Sequence, residues 1–113
     1  MNNLTEKEEK AVKELIEGLK KLYGDNLSKV ILYGSKARGD SKEDSDIDTM
    51  IILKKIVRWD KEFEKISEIK YPIASNYDLL ISTVILSENE YMCRNTPLLL
   101  NVKREGDDLY AAK

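Results

Sequence analysis

The stretch "SKVILYGSKARGDSKEDSDIDTMIIL", Ser28 to Leu53, places two apolar, β-branched runs on either side of a segment of small and charged residues. "SKVILYG" ends in Gly34, "DIDTMIIL" begins with two aspartates in alternation, and both read as central strands. Alternate side chains of a strand share a face, so Asp46 and Asp48 project together while Ile47 turns into the opposite layer. Two carboxylates in one small volume repel each other unless a cation sits between them, and hard oxygen ligands suit magnesium or manganese. On the near side of the turn, Gly34 lets backbone come close to a ligand. Ser35 is placed to cap the helical turn "KARG" and to aim its hydroxyl and amide at a phosphate.

Working outward from that turn, Thr5 and Glu8 form a capping box, and Ala11, Val12, Leu15, Ile16, Leu19, Leu22 and Tyr23 recur at helical spacing until Gly24 closes the helix. Downstream, Trp59, Phe63, Ile66 and Ile69 predict a second helix that Pro72 ends, with "NYDLLISTVIL" as a third strand opening near Asp78. If that strand neighbours the second, Asp78 joins Asp46 and Asp48 in a three-carboxylate cluster. Ser87 with Glu90 predicts a short capped helix. Thr96 and Pro97 start another, with the leucines at 98–100 facing inward and Gly106 at its end. "DDLYAAK" is an edge strand or a frayed end, and Trp59 and Cys93 read as core. The expected fold is α/β (α+β), a mixed sheet of about four strands flanked by helices, in one domain over residues 1–113.

Composition narrows the chemistry. The net charge of -2 gives no long-range pull toward a polyanion, so direct nucleic-acid binding is not expected. No run of about 18 apolar residues is present and the amino terminus is polar, which predicts no membrane association and a cytoplasmic location. The chain has one cysteine and no histidine, which excludes an internal disulfide, a histidine base and a histidine-containing zinc site. Catalysis must run on carboxylates, lysines, hydroxyls or a hard metal ion. Three other readings of the turn fail. Asp40 stands where a P-loop needs lysine; Thr49 and Lys55 stand where a calcium loop needs glycine and glutamate; and Arg38-Gly39-Asp40 has no adhesive meaning without secretory features. Asp40, Glu43 and Asp44 read as solvated loop residues.

Gly34-Ser35, ten residues, Asp46-Ile47-Asp48 and a later Asp78 together resemble the polymerase-β-like nucleotidyltransferase superfamily. The wording "GSKARG" and the ending "PLLLNVKREGDDLY" are similar to its minimal branch, the MNT or MntA-type proteins related to the amino-terminal domain of kanamycin nucleotidyltransferase. The resemblance implies two magnesium ions, or manganese, on Asp46, Asp48 and Asp78, with Asp78 also assisting removal of the acceptor's proton. Gly34 and Ser35 would hold the β- and γ-phosphates of an NTP, ATP first, and Lys36 or Arg38 would screen the leaving pyrophosphate. It implies transfer of a nucleoside monophosphate to a hydroxyl of a partner protein, a HEPN-domain toxin neutralised by this chain as antitoxin. A homo-oligomer is compatible with it. Two alternatives stay open: a contact-only antitoxin with a non-catalytic site, and the catalytic subunit of a small-molecule nucleotidyltransferase.

Overall fold

The computed structural model describes residues 3–39 and 46–112, so Asp40, Glu43 and Asp44 lie outside the described residues. The order is α1 (Glu6–Tyr23), a 3-10 turn (Gly24–Asn26), β1 (Leu27–Tyr33), α2 (Ser35–Arg38), β2 (Ile47–Leu53), α3 (Trp59–Tyr77), β3 (Ile81–Ser87), α4 (Glu88–Cys93), α5 (Pro97–Glu105) and β4 (Asp107–Ala111). Among the described residues the strands form one mixed sheet in the order β3-β2-β1-β4. β1 is antiparallel to β2 and to β4, whereas β2 and β3 run parallel with Ile47 opposite Ile81. The mixed α/β architecture read from the sequence is therefore the one observed.

The alternation of each central strand sorts its side chains between two packed layers. Val30, Leu32, Ile47 and Ile51 meet Val12, Leu15 and Leu19 of α1 and Ile66 of α3 on one face. Ile31, Met50 and Ile52 meet Leu99 and Val102 of α5 on the other. The capping box of Thr5 and Glu8 is present at the start of α1, as is that of Ser87 and Glu90 at α4. Among the described residues no helix is long and apolar enough to cross a membrane.

Four expectations are corrected. Pro72 lies inside α3 and does not end it. The apolar stripe of Ile66 and Ile69 continues through Ile73 and Ala74 against the core, and the Tyr77 hydroxyl donates to the Glu14 carboxylate of α1. The carbonyl that loses its partner to proline belongs to Glu68, itself on an exposed position, where water can serve it. The leucines of α5 do not face one way, because three consecutive helical residues span about 200° of the helix. Leu99 is 3% exposed while Leu98 and Leu100 are 42% and 51% exposed. Trp59 is half exposed, stacked on Phe63 with its indole N–H donating to the Ile85 carbonyl, and Cys93 is exposed on α4.

Candidate active site

The turn that follows β1 and the start of β2 meet at one end of the sheet because the two strands are an antiparallel pair in which Tyr33 faces Asp48. Gly34 comes next, with φ +75°, and a Cβ built on it would lie 2.5 Å from Asp48 Oδ2. Only glycine accepts both that backbone conformation and that approach. The two halves of the motif, ten residues apart in the chain, are thus in direct contact. Ser35 is half-buried as the first residue of α2, but it is not the cap: Gly34 occupies that position, and no side chain bonds the helix start.

Asp46 directly precedes β2 and Asp48 lies within it, on the same face as Met50 and Ile52. Burial pushes the Asp48 carboxyl above the usual carboxylate range, and the charge of Asp46 pushes it further, with Arg38 opposing both. Burial and the Asp48 charge likewise raise the Tyr33 phenol. A pair of hard oxygen donors crowded in this way fits a divalent cation, which would relieve the repulsion that raises Asp48.

Asp78 is placed differently from Asp46 and Asp48. It is the cap residue that ends α3, three residues ahead of β3, exposed, with φ 53° and ψ 52°. Its backbone N–H bonds the Ala74 and Ser75 carbonyls, a left-handed helix end that aspartate tolerates better than most residues. Because β2 and β3 are parallel, and the Ile47 N–H bonds the Leu80 carbonyl at 2.9 Å, Asp78 stands at the same end of the sheet as Asp46. Among the described residues no three acidic or cysteine side chains stand close enough to hold one metal ion. The pair is assembled; the expected trio is not.

The two basic residues of the turn separate cleanly. Lys36 is buried, its ammonium 2.6 Å from the Glu8 carboxylate of α1, so it does not face a departing pyrophosphate. Arg38 faces the site: it acts on Asp48 and reaches Glu105 of α5 at 3.4 Å. A cavity of about 170 Å³ opens beside them, lined by Tyr33, Gly34, Arg38, Leu98, Asn101 and Glu105. Tyr33, Asn101 and Glu105 escape sequence reading, since the contact of α5 with the turn joins residues 67 apart and leaves no periodic signal.

A family model described as "Polymerase beta, Nucleotidyltransferase" matches residues 13–110. Among curated proteins the chain is similar to "Putative protein adenylyltransferase MJ0604" of Methanocaldococcus jannaschii, with 36% identity over 91% of this chain and 98% of the relative. Among solved structures it resembles a chain of a toxin-antitoxin with AMP-PNP, at TM-score 0.61 and 21% identity, covering 88% of this chain and 73% of that one. It also resembles a chain of the tri-AMPylated Shewanella oneidensis HEPN toxin in complex with MNT antitoxin, at TM-score 0.57 and 17% identity, covering 92% and 72%. At these identities the structural likenesses establish the fold, and the match over residues 13–110 establishes descent. A glycine-serine turn in contact with paired aspartates at one sheet end, on this fold and with this match, makes the chain a member of the polymerase β nucleotidyltransferase family.

Proposed function

We propose that this chain transfers AMP from ATP to a hydroxyl of a HEPN-domain toxin and so acts as the antitoxin of the pair. The observation that carries the reading is the close approach of Gly34 to Asp48, which supports a turn that would hold phosphate acting together with carboxylates that would hold metal. The adenylyltransferase name of the curated relative supports the nucleotide and the reaction. The AMP-PNP and the AMPylated HEPN toxin of the two structural relatives support the donor and the acceptor.

In this mechanism Gly34 and Ser35 hold the β- and γ-phosphates, and Arg38 neutralises charge that develops on the leaving pyrophosphate. Asp46 and Asp48 would hold divalent cation, magnesium or manganese, with Asp78, at the same end of the sheet, brought in as the third carboxylate; two such ions would supply Lewis acidity at the α-phosphate. The acceptor oxygen forms a bond to the α-phosphorus as the bond from that phosphorus to the bridging oxygen breaks. Pyrophosphate carries away that electron pair, and the acceptor proton passes to a carboxylate of the cluster or through it to water. Asp46 and Asp48 would thus serve the cation, and Asp78 would assist removal of the acceptor's proton.

Intact mass spectrometry of a HEPN partner, incubated with the chain, magnesium and each NTP in turn, tests the reading. ATP should add AMP mass, and Asp46→Asn with Asp48→Asn should add none. Asparagine adopts the left-handed conformation as readily as aspartate, so Asp78→Asn tests the carboxylate without disturbing the cap of α3; its transfer should fall by about 10²- to 10⁴-fold. Suppression of the partner with no added mass from any NTP would replace this reading with neutralisation by contact.

A further inference from the structure

Glu8 sits in the first turn of α1, yet its two carboxylate oxygens serve different elements. Oε1 accepts from the Thr5 backbone N–H at 2.9 Å and closes the capping box of α1. Oε2 lies 2.6 Å from Lys36 Nζ of α2, and the two side chains are only 4% and 3% exposed. A second strand of contact runs beside it, from Asn3 Nδ2 to the Ala37 carbonyl at 3.1 Å. α2 has four residues, a single turn, and so short a helix has little stability of its own. Its orientation is set by what it is tied to, and a buried, charge-assisted hydrogen bond is a strong tie for a turn of this length.

We propose that Glu8 is a positioning residue for nucleotide binding: through Lys36 it fixes α2 on the start of α1 and thereby fixes Gly34 and Ser35 against Asp48. The inference rests on the reading of Gly34 and Ser35 as the turn that holds the β- and γ-phosphates. Lys36, read from the sequence as a possible phosphate ligand, serves the same turn from inside the fold. Among the described residues α1 lines no part of the cavity beside Gly34 and Arg38, and it nevertheless governs the geometry of the turn. Ground-state affinity for the triphosphate is the quantity that registers this, because a tilted α2 still folds but no longer presents Ser35 where the phosphates lie.

The experiment measures Kd for magnesium AMP-PNP and for magnesium AMP by calorimetry, on wild type, Glu8→Gln, Lys36→Met, the double variant and Ser35→Ala. Glutamine still accepts from Thr5, so the cap of α1 survives. Methionine keeps most of the lysine stem. The double variant leaves no unpaired buried charge and should melt close to wild type even if a single variant does not fold. AMP-PNP should bind about tenfold more weakly to the double variant, while AMP, which lacks the β- and γ-phosphates, should change by less than about twofold. Wild-type AMP-PNP affinity in the double variant, or equal weakening of both ligands, would overturn the proposal, the second outcome marking a general loosening. If Ser35→Ala weakens AMP-PNP and the double variant does not, the role of Glu8 falls and the phosphate turn stands. If Ser35→Ala binds AMP-PNP as wild type does, the phosphate turn falls and the role of Glu8 falls with it.

Discussion

Gly34 couples the two halves of the site through a single missing methyl group. With φ +75° and 2.5 Å from a would-be Cβ to Asp48 Oδ2, Gly34→Ala must either shift the turn or displace the carboxylate. It should destabilise the protein by roughly 1–3 kcal/mol and lower AMP transfer by about 10²-fold, read from thermal melts and initial rates. A wild-type rate in Gly34→Ala would uncouple the turn from the carboxylates. Glu8 makes a prediction in pH. Burial raises its carboxyl pKa, but the Lys36 ammonium and the Thr5 N–H outweigh burial and hold it below the ordinary value of 4.5. A depressed folded value means that the pair stabilises fully above the unfolded pKa and loses its contribution as pH falls through the folded one. Wild type should therefore lose melting temperature as pH falls below the ordinary value of 4.5, and Glu8→Gln/Lys36→Met should lose less; parallel slopes would deny the pair this role. Of these residues, the spacing of Gly34, Ser35, Asp46 and Asp48 is legible in the chain. The fate of Lys36 is not, since one turn of rotation decides whether it meets phosphate or Glu8.

At the scale of elements, local rules succeed at three capped helix starts and at the glycine stops of α1 and α5, and fail at the proline stop read into α3. The capping boxes of α1 and α4 and the Thr96-Pro97 start of α5 are written in adjacent residues, and the structure has all three. Pro72 misleads because the penalty of an interior proline is weighed against tertiary contacts that sequence does not display. Ile73, Ala74 and Tyr77 keep α3 helical past it. Pro72 is exposed, and an interior proline is about 3 kcal/mol less favourable than alanine, so Pro72→Ala should raise stability by roughly 1–3 kcal/mol. Urea unfolding with an unchanged slope would measure it. A loss of stability would show that proline shapes α3 in a way its neighbours require. The extension of α3 also moves Asp78 out of a strand and into a helix cap, which is why the predicted trio of carboxylates is read as a pair plus an outlier.

For the molecule as a whole, the site holds two like charges that Arg38 opposes without cancelling their effect on Asp48, and the fold should respond to what neutralises them. Magnesium with AMP-PNP at about 100 times Kd should stabilise wild type by roughly 2.7 kcal/mol, and Asp46→Asn/Asp48→Asn should show no such response. Without metal the double variant should melt slightly above wild type, because the Asp46 charge is among the causes that raise Asp48. Equal metal-dependent shifts in both proteins would place the cation elsewhere. By itself the sequence determined the strands and most helix starts, the mixed sheet, and the identity and spacing of the turn and the aspartate pair, because each rests on periodicity, caps or a motif contained within a few tens of residues. Tertiary structure alone decided that Lys36 is buried on Glu8, that α3 runs through Pro72 and holds Asp78 in its cap, and that Tyr33, Asn101 and Glu105 line a cavity with Gly34 and Arg38. Each of these depends on which distant element packs against a residue, and burial and charge pairing across such distances are settled only when the layers close.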